Sequence, residues 1–212
     1  MTPRDSGTTS TDRARMVERQ LRRRGIHDER VLAAMEEVPR ELFLPKAERR
    51  RAYRDGAVRI GEGQTMSQPW IVACMAQVLE LTGAETVLEV GTGSGYAAAV
   101  LSRLCREVVT IERYESLAVQ AERALHELGY DNVVVGVGDG SLGAPERAPF
   151  GGISVTATAR YNPPRALFDQ LEPGAVLVCP VERDGRELLM RFRDGTEEVI
   201  TAVRFVPLVT GG

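Results

Sequence analysis

Three features of this 212-residue chain predict an α/β fold built on a mostly parallel sheet. From Thr86 onward, apolar strand-like runs alternate with amphipathic helical runs, the pattern of right-handed βαβ units. The first of these strands, Val87-Leu88-Glu89-Val90, runs straight into the turn Gly91-Thr92-Gly93-Ser94-Gly95, which opens a helix. The last two strand-like runs flank Asp194-Gly195, a strong hairpin signal, so the sheet should finish with an antiparallel pair.

Each element follows from local pattern. Residues 1–12 are polar, lack the apolar stretch of a signal peptide and read as a disordered tail. Residues 13–24 read as a helix carrying Met16, Val17 and Leu21. A second helix opens near Asp28, an N-cap residue type, and sets Val31, Leu32, Met35 and Val38 on one face. Pro39 and Pro45 close this region, and residues 52–67, glycine-bearing and without a clear period, read mostly as loop. Pro69 then starts a helix that buries Ile71, Met75, Val78 and Leu79. Strands are expected at 86–90, 108–112, 132–137, 152–156 and 174–181. The helix after the first carries Ala97, Val100, Leu101 and Leu104 on its inner face, and the helix after the second carries Leu117, Ala121, Leu125 and Leu128. A short helix at 164–171 precedes the fifth strand, and 187–193 and 199–207 form the terminal pair. Residues 13–68 thus make an N-terminal helical cap and 69–212 the sheet core, packed as one compact domain.

Bulk properties exclude several functions. A formal charge of −3 offers no global attraction to nucleic acid or membrane. No apolar run approaches the roughly 20 residues of a spanning helix, and the expected location is the cytoplasm. Cys74, Cys105 and Cys179 are widely spaced in apolar contexts, without metal-ligand spacing, and read as buried structural thiols. His27 and His126 sit in polar contexts away from any triad pattern, so neither a zinc centre nor a His-based nucleophile is expected. The runs Arg22-Arg23-Arg24 and Arg49-Arg50-Arg51 read as solvated faces.

The glycine turn carries the chemistry. Three alternating glycines let backbone approach a ligand closely, because no Cβ intrudes and positive φ costs little. A phosphate-cradling loop would need Gly-Lys-Ser/Thr, but the only lysine is Lys46, far upstream. A dinucleotide fingerprint would need glycine where Tyr96 stands. The remaining acid-x-Gly-x-Gly-x-Gly pattern resembles the first motif of S-adenosylmethionine-dependent methyltransferases. Three acids lie at successive strand ends: Glu89 before the glycines, Glu112 closing the second strand, and Asp139 in Gly138-Asp139-Gly140 after the third. Ligands of open parallel sheets sit beyond these ends, and an acid at the second can accept both ribose hydroxyls. The cofactor set is therefore Glu89, Gly91, Thr92, Gly93, Ser94, Gly95, Glu112, Asp139 and Gly140, with S-adenosyl-L-methionine as the cofactor and no metal.

Upstream stands Ile60-Gly61-Glu62-Gly63-Gln64-Thr65-Met66-Ser67-Gln68-Pro69. With the glycine turn, Ile111-Glu112-Arg113, Ala148-Pro149-Phe150, Val155-Thr156-Ala157, Leu171-Glu172-Pro173-Gly174 and Phe205-Val206-Pro207-Leu208, this block resembles the protein-L-isoaspartate O-methyltransferases. The resemblance implies a class I (Rossmann-like) methyltransferase fold, with a seven-stranded sheet whose last strand is antiparallel. It implies methyl transfer to the α-carboxylate of isoaspartyl residues in damaged proteins or peptides, whose ester then cyclises to a succinimide. The expected protein is a monomer with no nucleic-acid or membrane partner. By resemblance, Ser67 touches the substrate carboxylate, Gln64 and Thr65 shape the same loop, and Val155 and Thr156 face the peptide. Ser67 read from its residues alone could instead cap the helix that Pro69 begins.

Two departures bear on the substrate. Gly151 stands where family members usually carry an acid, and Arg160-Tyr161 puts bulky residues where the family has small ones. They keep two alternatives open: a carboxyl methyltransferase acting on aspartate or a C-terminal carboxylate of a biosynthetic peptide, and a protein that holds the cofactor without turnover.

Overall fold

A computed structural model describes residues 7–211. The first helix begins earlier than the sequence pattern suggests: α1 spans Gly7–Met16, so residues 7–12 of the expected tail are helical. Residues 1–6 of that tail lie outside the described residues. The chain continues through a π-helical turn, Val17–Leu21, and a 3₁₀ turn, Arg22–Arg24, ended by Gly25 at φ 91°. The second helix, α2 (Glu29–Glu37), has Asp28 as its N-cap, the carboxylate accepting from the backbone of Arg30 and Val31. Val31, Leu32, Met35 and Val38 are all buried.

The expected loop at 52–67 is in part a β-hairpin. Strands β1 (Val58–Gly61) and β2 (Gln64–Met66) pair antiparallel around Glu62-Gly63, both at positive φ. Val58, Ile60 and Met66 alternate inward, a period of two that flanking glycines obscured in the sequence. Helix α3 (Pro69–Val78) follows, with Val72, Ala73, Met75 and Ala76 buried.

The sheet then assembles as β3 (Thr86–Val90), β4 (Glu107–Glu112) after α4 (Tyr96–Leu101), and β5 (Val133–Val137) after α5 (Glu115–Glu127). It continues with β6 (Phe150–Val155), the two-residue β7 (Ala159–Arg160), the short α6 (Arg165–Phe168), β8 (Leu171–Arg183), β9 (Arg186–Arg193) and β10 (Thr196–Ala202). The order is β10-β9-β8-β6-β3-β4-β5, with β7 beside β8. The strands β3 to β8 pair in parallel; the terminal hairpin turns at Asp194-Gly195, and β9 is antiparallel to both its neighbours. Alternate strand residues feed two cores. Val87 and Val108 pack under the helical cap, with α4 and α5, whereas Leu88, Val90, Val109 and Val155 pack on the opposite face around Leu167 of α6. The first core also takes in Met16, Leu32, Phe43 and Val72, so the cap and the sheet share one interior. Strand order reverses between β4 and β6 on either side of β3, which leaves a crevice beyond its carboxyl end.

Candidate active site

That crevice is built on the glycine turn. Gly91, Gly93 and Gly95 all have positive φ, at 96°, 55° and 84°. A Cβ on Gly91 would lie 2.3 Å from Thr156 Oγ1, and one on Gly93 3.3 Å from Ile60 Cδ1. The hydroxyl that fills this position belongs to Thr156, just past β6: its one proton is shared between the carbonyls of Gly91, at 2.7 Å, and Val90, at 3.0 Å. The β1–β2 hairpin lies against Gly93 through Ile60 and is tied to α5 where Ser116 donates to Glu62 at 2.7 Å.

Glu112, buried at the end of β4, accepts from the Gly93 amide at 2.7 Å and from the Tyr114 amide at 3.0 Å. Beneath the turn runs a buried polar chain. Thr110 Oγ1 donates to Glu89 Oε2 at 2.7 Å, and a further bond of 2.7 Å joins the Thr92 and Thr110 hydroxyls. Glu89 is fully buried, and its Oε1 has no hydrogen-bond partner among the described residues. Burial, helped by the nearby charge of Glu112 and opposed by the Thr110 bond, raises its pKa to about 8. Glu89 is therefore mostly protonated at neutral pH, and it supports the turn from below; it does not line the crevice.

A cleft open to solvent brings the separate sequence blocks together. Its walls include Gln64, Thr65, Met66 and Ser67 from the hairpin, Gly91 to Ser94 from the turn, Glu112, Gly140, Thr156 and the 206–209 segment. An acid in the cleft wall that holds the turn amide, and glycines whose Cβ atoms would meet the walls, fit S-adenosylmethionine as the cofactor.

Several expected site residues sit elsewhere. Val155 is fully buried in the second core and does not reach the cleft, because the alternation of β6 turns its side chain into the sheet's far face. Asp139 lines a neighbouring pocket with Arg113 and Gly211. Its carboxylate accepts from the Ser141 hydroxyl and amide and from the Gly211 amide at 2.7 Å. The Ser141 hydroxyl above all holds it below the usual carboxylate range. Gly95 caps α4 from behind, packed on Ala121 and Leu125. Ser67 does not cap α3; Gln68 occupies that position and makes no side-chain cap bond.

The two departures fall outside the cleft. Gly151 lies near the amino end of β6, the opposite end of the sheet from the crevice, where a Cβ would come 2.7 Å from Glu85 Cγ. A side chain there would crowd the stem of Glu85, whose carboxylate closes the turn at Thr82 and Gly83. Arg160 and Tyr161 are exposed and stacked on each other, with the guanidinium carbon 5.2 Å from the ring centroid, and neither lines the cleft.

Residues that sequence reading missed close the cleft from above. Val206, Pro207, Leu208 and Val209 reach it because Thr158 exchanges backbone bonds of 2.8 Å with Val206 and Leu208. The sequence pattern placed 199–207 in the terminal strand, but β10 ends at Ala202 and the chain beyond it leaves the sheet for the cleft.

The family model described as Protein-L-isoaspartate(D-aspartate) O-methyltransferase matches residues 11–212. A protein-L-isoaspartate O-methyltransferase of Herpetosiphon aurantiacus is 50% identical over 204 residues, covering 94% of this chain and 91% of its own. One of Pelotomaculum thermopropionicum is 50% identical over 211 residues, covering 97% and 92%. A solved protein-L-isoaspartate O-methyltransferase structure superposes with a TM-score of 0.81 at 30% identity, over 94% of this chain and 66% of that one. Family, fold and the joined sequence blocks converge: the chain belongs to the protein-L-isoaspartate(D-aspartate) O-methyltransferase family.

Proposed function

We propose that this enzyme transfers a methyl group from S-adenosylmethionine to the free α-carboxylate of isoaspartyl residues in damaged proteins and peptides. The observation that carries the reading is one cleft lined both by the glycine turn with Glu112 and by the Gln64-to-Ser67 loop. When bound, S-adenosylmethionine supplies the methyl group and a sulfonium leaving group. A free α-carboxylate titrates near ~3.5 and is already ionised at neutral pH, so the acceptor needs no general base. The task of the protein is to bind, orient and dry that carboxylate, which agrees with a cleft wall free of His, Cys and Lys.

In this reading the Ser67 hydroxyl donates to a carboxylate oxygen, Gln64 and Thr65 shape the loop around it, and Thr156 faces the acceptor. The backbone of Gly91 to Gly95, with Thr92, Ser94 and Gly140, cradles the cofactor. Glu112 accepts from ribose hydroxyls through lone pairs not used by Gly93 and Tyr114. Glu89 holds the floor, and Asp139 acts from the rim. The methyl ester then closes to a succinimide, whose hydrolysis returns part of the damage to aspartate.

The remote position of Gly151 removes the support for a protein that binds without turnover, and the exposed Arg160-Tyr161 pair leaves the acceptor pocket unaltered. Purified protein with radiolabelled cofactor should methylate an isoaspartyl peptide and spare its aspartyl twin; equal labelling, or none, overturns the assignment. Among the described residues no helix is long and apolar enough to cross a membrane. The reading extends to a monomer acting in the cytoplasm, which light scattering and cell fractionation test.

A further inference from the structure

Arg40 is the largest fully buried side chain of the described residues, with none of its surface exposed. It begins a short 3₁₀ turn, Arg40–Phe43, after Pro39, far in sequence from every cofactor motif. No carboxylate pairs with it among the described residues. Its partners are instead two backbone carbonyls and one ring. Nε donates to Ala52 O at 2.7 Å, Nη2 donates to Ser67 O at 2.6 Å, and the guanidinium carbon lies 4.7 Å from the ring centroid of Tyr96. Nη1 is buried without a partner. Desolvation lowers its pKa from the ordinary arginine value, and Tyr96 opposes that shift.

Stability alone gives no reason for this arrangement. An uncompensated buried charge is costly, and an apolar side chain of similar volume is commonly neutral or better. The planar fork of arginine, however, can hold two carbonyls at fixed separation while its face stacks on an aromatic ring, which a lysine cannot do. The groups it holds are informative. Ser67 bears the hydroxyl in the cleft, between β2 and α3, and its carbonyl is not used by α3, whose first bonds go to Gln68 O. Tyr96 is the first residue of α4, directly after the glycine turn, and it too lines the cleft. One guanidinium therefore spans the acceptor-side loop and the cofactor-side helix.

We infer that Arg40 is a positioning residue for methyl transfer, fixing the Ser67 loop against the helix that carries the cofactor turn. The inference rests on the isoaspartyl reading only for the choice of acceptor. Its effect should fall on acceptor binding and alignment, with the turn itself left in place by Glu112, Thr156 and Thr110.

The test compares wild type with Arg40→Lys and Arg40→Met in the full chain. The isoaspartyl-peptide KM should rise at least ~10-fold, equivalent to about 1.4 kcal/mol, with the dissociation constant for S-adenosylhomocysteine changed less than about threefold. Amide exchange over residues 64–68 should quicken about tenfold while β3 and β4 amides keep their wild-type rates. A folded Arg40→Lys with wild-type KM and wild-type exchange over 64–68 overturns the inference. Failure of wild type to methylate the peptide counts against the acceptor assignment instead, and the exchange measurement still decides the role of Arg40. Should neither variant fold, magnetic resonance of the wild-type Arg40 guanidinium decides: slow Nη exchange that responds to added peptide upholds the role, and fast or unresponsive exchange overturns it.

Discussion

Glu89→Gln isolates the most heavily perturbed carboxyl beneath the cleft. Folding raises Glu89 from the ordinary carboxyl value of 4.5 to about 8, chiefly because burial penalises its charged form. Below the lower value both folded and unfolded chains carry the proton, and the group has no effect on stability. Between the two values the folded protein keeps a proton that the unfolded chain has released, so stability falls by about 1.4 kcal/mol per pH unit. The loss totals about 5 kcal/mol once pH passes the folded value. Glutamine stays neutral throughout. Its carbonyl can still accept from Thr110, and its amide takes the place of Oε1, which lacks a partner already.

The variant should therefore differ from wild type by a small constant near pH 5 and gain steadily above it, becoming the more stable protein by several kcal/mol near pH 8.5. Urea unfolding in half-unit steps reads this directly, since a pH-independent offset from imperfect packing of the amide moves the curve without changing its slope. Parallel pH profiles for the two proteins would refute the argument, because they require Glu89 to be ionised in the folded state.

Three further outcomes follow from the site's geometry. Gly91→Ala, at φ 96° and with a Cβ 2.3 Å from Thr156 Oγ1, should lose about 3–4 kcal/mol through backbone strain and displaced Thr156 bonds. Gly129→Ala, at φ 77° with nothing within 4 Å, should lose only about 1–2 kcal/mol; similar losses in urea would contradict the close-approach account. Ser67→Ala should lower kcat/KM for an isoaspartyl peptide about 10- to 100-fold, the worth of one hydrogen bond to a charged acceptor, with S-adenosylhomocysteine affinity within twofold; loss of cofactor binding would instead assign Ser67 to the other half of the cleft. Asp139→Ala or Arg113→Ala should speed limited proteolysis within residues 206–211, because Asp139 accepts from the Gly211 amide and Arg113 donates to the Gly211 carbonyl; an unchanged cleavage rate would mean that these bonds do not hold the segment.

The sheet was legible because strand and helix periods are local and the glycine turn is punctuated by residues with few other uses. Glu112 was found by its place at a strand end, and the structure puts it in the cleft wall on the Gly93 amide. Val155 misled because strand-end position does not specify which face a side chain takes; the β6 register, set by its pairing with β3, turns it inward. The β1–β2 hairpin was hidden by its length, with three residue pairs and two glycines beside its turn. Arg40 and Thr110 left no trace at all. Each works through a tertiary contact more than 20 residues distant, Arg40 to Ser67 and Thr110 to Glu89, and no periodicity reports such a pairing. Gly151 shows the converse error, since an unusual residue beside a familiar motif drew attention to the wrong end of the sheet.

The two halves of the cleft are held by different physics. The cofactor half sits on strands whose side chains are almost wholly buried, and its turn is fixed from three sides by Glu112, Thr156 and the Thr92–Thr110–Glu89 chain. The acceptor half is made of segments outside the main sheet, the hairpin loop ending at Ser67 and the strand-like stretch from Val206 to Val209. Those segments are held by scattered bonds, among them Arg40 on the Ser67 carbonyl, Ser116 on Glu62, Thr158 on Val206 and Leu208, and Asp139 and Arg113 on Gly211. Local opening is cheapest where backbone bonds are few and exposed. A substrate that is itself a peptide within a larger protein needs such a half, able to part and close over a carboxylate, beside a half that does not move. Changes to the anchors should therefore act on acceptor binding, and changes to the turn on the cofactor, which is the separation that the Arg40, Ser67 and Gly91 variants measure.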